Sequence, residues 1–367
     1  MRKAETEFAD SAGYGWSMID ASQTSRAEVW RARGAHFSWS PAGESAPRVN
    51  VFHLELGDAD APVLALVHGF PTCSIDWFEV AERLSPRYRV CMLDFPGFGF
   101  SDKPRGWDYS LRRDAELLNH YLTQIVGARS VVMVAHDRGD SVALIHTANA
   151  AAGRAQTAVE HLVLSNANLF LPLSNLTVAQ RLMLHSPELL DQLTPELLAA
   201  GMGAVTFTPP RAPDDPAVRA LAATFAHDDG VAVLHETIQY LVERSLDETA
   251  WLQSLAATAL PTTLIWGVYD TVSPIRVANH VWHEHLMFKP GRNAFYLIPG
   301  ANHYVQNDRP DAFVQTLSHA LDPPDDAPPG ALSEALDAPI LVDRSHTELP
   351  DAAQLIAQRA AVPPQQP

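Results

Sequence analysis

The chain has 367 residues, 47% of them hydrophobic and 19% charged, which is ordinary for a globular enzyme and suits one large α/β domain with an insertion. Its net charge of -17 repels phosphate backbones and anionic lipid, so we expect neither nucleic acid nor a membrane surface as a partner. Two cysteines make no disulfide framework, and we find no signal peptide and no apolar run of the ~18 residues that a membrane helix needs. We therefore expect a cytoplasmic enzyme.

Strand and helix patterns alternate along most of the chain. After a predicted N-terminal extension over 1–29, two half-exposed strands are expected near 35–40 and 48–57. Short apolar segments predict buried parallel strands at 62–67, 89–93, 130–135, 161–165, 262–266 and 293–298. Helices are predicted at 76–85, 111–126, 139–151 and 309–321. This alternation predicts an α/β fold with a mostly parallel, doubly wound sheet, whose core comprises 30–166 and 261–321.

Two regions depart from this alternation. Residues 167–260, after the sixth strand, combine leucines at helical spacing with many prolines, and they predict a helical cap over the carboxyl edge of the sheet. Residues 322–367 are rich in Pro, Ala and Asp, so we expect a flexible tail with one short helix near 350–361.

The first candidate catalytic residue is Asp137. The apolar strand 130–135 is followed by His136-Asp137-Arg138-Gly139 and then by a helical pattern. A sharp strand-to-helix turn needs small residues beside its apex, and the apex of such a turn exposes a nucleophile. A carboxylate at the N-terminus of a helix is kept ionised by the helix dipole. The competing interpretation is that Asp137 only caps the helix.

Two loops complete a candidate site. In this architecture, the loop after the third strand, HGFPT at 68–72, donates an N–H group to an oxyanion hole, which assigns that role to Phe70, with Arg138 as the second donor. Asp270 follows the strand 262–266, where a histidine-orienting acid is expected, and His303 lies in the loop after the last strand. The order nucleophile, acid, histidine is that of α/β-hydrolases.

The segments HGFPT (68–72), DFPGFGFSDKP (94–104), AHDRGD (135–140), WGVYD (266–270) and PGANH (299–303) resemble the α/β-hydrolase superfamily. They fit its branch of epoxide hydrolases and haloalkane dehalogenases, and they are most similar to the mesoderm-specific transcript protein-like hydrolases. The resemblance covers roughly residues 30–321. It implies that Asp137 attacks a saturated carbon to form an alkyl ester, which a water activated by His303 then cleaves. This chemistry needs a small-molecule substrate and water, and no metal or organic cofactor.

The first reaction step decides the substrate. Haloalkane dehalogenases typically carry Trp after the nucleophile and many carry Asn after the His-Gly pair, whereas Arg138 and Phe70 stand here. Epoxide hydrolases use cap tyrosines as ring-opening acids, and Tyr240 is the tyrosine within the predicted cap. The competing interpretation is that the aromatic ring of Tyr240 only packs on the core. His185 or His235 is the candidate second donor.

Arg138 leaves a third interpretation open. Fluoroacetate dehalogenases share the HDRG motif and use two arginines to grip a carboxylate, but the second position holds Ser141 here. Arg138 otherwise forms a salt bridge with Asp140 or another carboxylate. A catalytically silent binding protein of the same fold is the alternative outside enzymes.

The sequence therefore predicts a hydrolase of the epoxide hydrolase type, acting on small apolar epoxides, with haloalkane or haloacid dehalogenase as the alternative. The candidate pocket residues are His68, His136, Arg138, Phe170, His185, His235 and Trp251. His280, His283 and Glu284 share a helical spacing, but their helix reads as a surface helix, and no metal site is predicted.

Overall fold

The computed structural model describes residues 25–41, 47–323, 330–331 and 337–342. Its strands are β1 (Ala35–Trp39), β2 (Val49–Leu56), β3 (Val63–Val67), β4 (Arg89–Leu93), β5 (Ser130–His136), β6 (Ala158–Ser165), β7 (Thr262–Gly267), β8 (Asn293–Ile298), β9 (Gly330–Ala331) and β10 (Ile340–Leu341). They form one sheet in the order β1-β2-β4-β3-β5-β6-β7-β8-β10-β9. The strands from β4 to β8 in that order are parallel, and β1, β2, β9 and β10 pair antiparallel at the two edges.

The helices are α1 (Arg26–Arg33), α2 (Phe78–Leu84), α3 (Leu111–His120), α4 (Arg138–Ala151), α5 (Val178–His185), α6 (Pro195–Val205), α7 (Pro216–Ala226), α8 (Leu234–Thr237), α9 (Tyr240–Ala256), α10 (Ile275–Val281), α11 (Val305–Asp308) and α12 (Pro310–Leu321). The predicted α/β class and the eight predicted strands are confirmed. The predicted helix over 111–126 ends its α-helical part at His120 and continues as one π turn to Ile125.

The central strands are apolar because both faces of the sheet are covered. The last four residues of β3 and of β4 are all buried. Parallel strands of this kind pack helices on either side, and their carboxyl ends meet at one edge. The loops after β3, β5, β6, β7 and β8 therefore converge there, and these loops carry the candidate site.

The segment between β6 and β7 is helical, as predicted, and holds α5 to α9. No described helix, there or elsewhere in the chain, is long and apolar enough to cross a bilayer.

Both ends of the described chain add structure beyond the prediction. α1 begins inside the stretch assigned to an extension, 1–29, and continues past its end to Arg33. Its signal is the capping box of Ser25 and Glu28, which precedes the buried Trp30. The tail was expected to be flexible from 322, but β10 pairs with β8, and Ala338 and Val342 are buried beside that edge. The continuous apolar run at 340–342 lies at an otherwise open sheet edge, which explains this pairing. The helix predicted near 350–361 lies outside the described residues.

Candidate functional site

Asp137 occupies a strained turn between β5 and α4. Its backbone has φ 51° and ψ -113°, a region that side chains other than glycine rarely adopt. The turn also needs glycines around it: a Cβ at Gly69 would lie 2.7 Å from Cβ of Asp137, and one at Gly139 would lie 2.5 Å from the carbonyl oxygen of His68. The tight packing holds the aspartate at the end of the strand.

The carboxylate of Asp137 is 1% exposed and has a different partner on each oxygen. Oδ2 accepts the backbone N–H of Phe70 at 3.0 Å, and Oδ1 accepts Nδ2 of Asn168 at 3.1 Å. Nε2 of His303 lies 3.9 Å from Oδ1. Burial alone would raise the pKa of Asp137, but the charges of His303 and Arg244 and the N–H of Phe70 outweigh it and lower the pKa below its usual value. The group is therefore held as a carboxylate.

Asp270 and His303 form a buried pair. Nδ1 of His303 lies 3.2 and 3.1 Å from the two carboxylate oxygens of Asp270. Oδ1 of Asp270 accepts the N–H groups of Val272 and Ser273, and Oδ2 accepts Nδ2 of Asn166. A carboxylate only accepts, so Nδ1 of His303 carries the proton and Nε2 faces Asp137 with its lone pair. Burial disfavours the protonated imidazole, but Asp270 outweighs it and raises the pKa of His303.

The side chain of Asn302 joins the acid and histidine loops. Its Oδ1 accepts the N–H groups of His303 and Thr271, and its Nδ2 donates to the carbonyl oxygens of Val205 and Phe207 in the helical segment. The histidine loop is therefore tied to both neighbours. Asn302 belongs to the segment PGANH at 299–303, whose local pattern does not reveal this bridging role.

Arg138 is fully buried, and its guanidinium is already engaged. Nη1 lies 2.5 Å from Oδ2 of Asp114, and Nη2 donates to the carbonyl oxygen of Tyr109 at 3.1 Å. Burial raises the pKa of Asp114 to about 6, against the opposing effect of Arg138. The salt-bridge interpretation thus has a specific partner, although it is Asp114 rather than Asp140. The backbone N–H of Arg138 opens α4 and has no acceptor within its helix.

Tyr240 begins α9 and is 1% exposed. Among the described residues its hydroxyl has no hydrogen-bond partner. The guanidinium carbons of Arg138 and Arg244 lie 5.4 and 5.0 Å from its ring centre, and the Phe70 ring lies 5.5 Å away. Burial, reinforced by the charge of Asp137, raises the pKa of Tyr240, so the hydroxyl keeps its proton. Tyr240 is therefore a protonated donor on which the charge of Asp137 acts.

Arg244, one turn further along α9, was not identified from the sequence. It is fully buried, with Nε donating to Oγ of Ser141 at 2.9 Å and Nη1 to the carbonyl oxygen of Asn168 at 3.0 Å. Nη2 donates to the carbonyl oxygen of Asp137 at 3.3 Å. The available signal was its i, i+4 spacing from Tyr240, which puts both on one helix face.

Two predicted pocket histidines have structural partners. Nδ1 of His68 contacts the carbonyl oxygen of Gly69 at 2.9 Å, and its Nε2 accepts the N–H of Phe95 at 3.0 Å. Nε2 of His136 contacts the carbonyl oxygen of His303 at 2.9 Å. Burial lowers the pKa of His68 to about 3 and that of His136 to about 4. Both rings are neutral, and they hold the loops around Asp137.

The remaining predicted pocket residues are spread over the helical segment. Phe170 stacks on His280 of α10 with ring centres 4.1 Å apart, and Trp251 is buried on α9. His185 is exposed, and Nδ1 of His235 contacts the carbonyl oxygen of Met183 at 2.8 Å. Within the described ranges, neither His185 nor His235 forms a hydrogen bond or ion pair with Asp137, Asp270 or His303. No cluster of three or more His, Cys, Asp or Glu side chains in these ranges could hold a metal ion.

Comparison with known proteins identifies the family of this chain. The profile of the α/β hydrolase fold family matches residues 62–310. A Mycobacterium tuberculosis protein called putative hydrolase LipZ is 30% identical over 289 residues, which cover 77% of this chain and 96% of the relative. The mesoderm-specific transcript protein of Mus musculus is 28% identical over 296 residues, which cover 78% of this chain and 84% of that protein.

The solved structures provide the same fold. The haloalkane dehalogenase DbeA from Bradyrhizobium elkani superposes with a TM-score of 0.60 at 22% identity, over 78% of this chain and 96% of that one. The resemblance to the α/β-hydrolase superfamily is therefore confirmed. The chain belongs to the α/β-hydrolase family and is a hydrolase of that fold.

Proposed function

We propose that this hydrolase uses Asp137 as its nucleophile and opens small apolar epoxides. The observation that carries the proposal is the pairing of a buried, ionised carboxylate with the unpartnered hydroxyl of Tyr240. A carboxylate attacks saturated carbon without prior loss of a proton, and an epoxide needs a proton donor for the oxygen that leaves.

In the first half-reaction, Oδ1 of Asp137 attacks an epoxide carbon and the carbon–oxygen bond of the ring breaks. The leaving oxygen takes the hydroxyl proton of Tyr240, and the product is a hydroxyalkyl ester on Asp137. The guanidinium groups of Arg138 and Arg244 beside the Tyr240 ring stabilise the tyrosinate that remains.

In the second half-reaction, Nε2 of His303 removes a proton from water, and the hydroxide attacks Cγ of Asp137. The charge develops on Oδ2, which accepts the N–H of Phe70, and Arg138 supplies the second N–H. The Cγ–Oδ1 bond then breaks and the alkoxide takes the proton from His303. Hydrolysis of an ester to a carboxylate releases one further proton, which restores the hydroxyl of Tyr240. The sum is epoxide plus water to diol, with no cofactor.

The state of Arg138 supports an uncharged substrate. A substrate carboxylate would have to compete with Asp114 for the charge of Arg138, whose Nη2 already donates to the carbonyl oxygen of Tyr109. The rings of Phe98 and Tyr240 lie against the Arg138 guanidinium, and the Phe70 ring packs against both of them, so the groups beside the nucleophile favour an apolar ligand.

The test is the intact mass of a His303→Gln variant after incubation with epoxides and, separately, with haloalkanes and haloacids. Without the base, the Asp137 ester accumulates, and we expect a mass gain equal to the whole epoxide, located on the Asp137 peptide. His185→Gln, which removes an exposed histidine, is the matched control and should show no adduct at steady state.

Other outcomes would redirect the assignment. A mass gain equal to the substrate minus halide identifies a dehalogenase. The absence of any adduct from all three classes contradicts the proposal and favours a silent binding protein.

A further inference from the structure

A second side chain contacts the attacking oxygen of Asp137. Asn168 follows β6, is fully buried, and donates from Nδ2 to Oδ1 at 3.1 Å. Phe70 instead holds Oδ2, so the two carboxylate oxygens are distinguished by their donors. The oxygen bound by Asn168 is also the one that lies 3.9 Å from Nε2 of His303.

The orientation of the Asn168 carboxamide follows from its partner. A carboxylate offers only acceptors, so the amide group must face Oδ1 and the carbonyl oxygen must face away. That carbonyl oxygen is buried, and it has no hydrogen-bond partner within the described part of the chain. A buried acceptor without a partner lowers the stability of the fold. A purely structural role for Asn168 gives no reason to keep such an acceptor.

The backbone around this contact is clamped by the helical segment. Arg244 donates to the carbonyl oxygens of both Asn168 and Asp137, at 3.0 and 3.3 Å. One planar guanidinium therefore sets the spacing between the nucleophile and the asparagine. The clamp therefore holds the two backbones from which the Nδ2–Oδ1 contact is made.

We propose that Asn168 is a catalytic residue that selects Oδ1 for attack and stabilises the same oxygen when it leaves. The inference rests on the proposed function, since it assigns a donor to the ester oxygen of that reaction. While the Cγ–Oδ1 bond breaks, negative charge grows on Oδ1. The N–H of Asn168 stabilises this charge until the imidazolium of His303 delivers its proton. Donors aimed at developing charge accelerate such steps more than they strengthen the resting state.

The kinetic test compares Asn168→Leu with the parent in single turnovers, followed by rapid quenching and intact mass. We expect hydrolysis of the Asp137 ester to slow by about 10²–10³-fold, as when an oxyanion donor is removed, and alkylation to change much less. Asn175→Leu, at an exposed position of the same segment, should leave both rates unchanged. Unchanged ester hydrolysis in Asn168→Leu would overturn the proposal.

A second measurement does not depend on turnover. In the NMR spectrum of protein labelled with [4-¹³C]aspartate, the Asp137 resonance is identified because it is missing from the spectrum of Asp137→Asn. Following this resonance against pH reports the pKa of the Asp137 carboxyl group. Loss of the Asn168 donor should raise this pKa, and an unchanged pKa would contradict the contact itself. Asn168→Ala replaces the leucine variant if that variant does not fold.

The two measurements distinguish a failure of the proposed function from a failure of the catalytic role of Asn168. If the His303→Gln variant gives no adduct, the proposed function fails and the catalytic role of Asn168 falls with it, whatever the titration shows. If that variant gives the adduct and Asn168→Leu hydrolyses its own Asp137 ester at the wild-type rate, only the role of Asn168 is overturned.

Discussion

Nη2 of Arg244 donates to the carbonyl oxygen of Asp137 at 3.3 Å, across 107 residues of sequence. The contact joins α9 of the helical segment to the strained turn that carries the carboxylate. Because the guanidinium also binds Asn168 and Ser141, one side chain holds the candidate nucleophile and two of its neighbours.

We predict that Arg244→Met lowers the free energy of unfolding by about 2–4 kcal/mol, since two backbone carbonyl oxygens and a hydroxyl lose a buried charged donor. Arg219→Met, at an exposed position of α7, is the control and should stay within about 0.5 kcal/mol. Urea titrations measure both. Equal midpoints for the two variants would show that Arg244 adds no stability.

The strained backbone at Asp137 should lower the stability of the fold, and the side chain that it carries should be required for alkylation. Asp137→Gly relieves the strain at φ 51°, whereas Asp137→Asn keeps a Cβ in that conformation. We expect both variants to lose alkylation, and the glycine variant to be more stable than the asparagine variant by about 1–3 kcal/mol. Thermal unfolding of the pair tests the strain, and adduct formation tests the nucleophile. Turnover retained by Asp137→Asn, without deamidation back to Asp, would contradict the assignment.

Tyr240→Phe separates the two half-reactions. Loss of the ring-opening acid should slow alkylation by an epoxide about 10²–10⁴-fold and leave hydrolysis of a preformed ester unchanged. Stability should not fall, because the hydroxyl has no partner among the described residues. Rapid-quench rates for each step give the answer, and equal slowing of both steps would assign Tyr240 to packing around Asp137.

The pH dependence of ester hydrolysis should follow His303. The pKa of His303 is raised above 6.5, so the neutral base is lost as pH falls. When pH is lowered from 9, the hydrolysis rate should therefore begin to fall before pH 6.5 is reached. Asp270→Asn removes the carboxylate that raises this pKa, and the midpoint should move to lower pH while the plateau rate falls. Single-turnover hydrolysis between pH 5 and 9 measures the shift.

The pH dependence of the free energy of unfolding provides an independent check of the contact between Asp270 and His303. A histidine whose pKa is raised in the folded state stabilises the fold fully below its unfolded pKa, and this contribution is lost as pH rises through the folded pKa. The stability lost in Asp270→Asn should therefore be larger at pH 6 than at pH 9. A pH-independent difference would mean that His303 gains nothing from Asp270.

The sequence by itself determined the fold class and placed Asp137, Asp270 and His303 at the ends of three strands. Those assignments rest on local patterns: an apolar strand, a turn of small residues and a polar residue at the strand end. Parallel strands bring their carboxyl ends to one edge, so the order along the chain was sufficient to bring the three residues together.

Only the tertiary structure decided what surrounds the nucleophile. Arg244 reaches Asp137 through packing of the helical segment on the sheet, Asn168 reaches it from the loop after β6, and Arg138 forms its ion pair with Asp114 rather than with Asp140. The same packing exposes His185. Contacts of this kind depend on where helices cross and which side chains share a buried space, and neither is encoded in a local pattern.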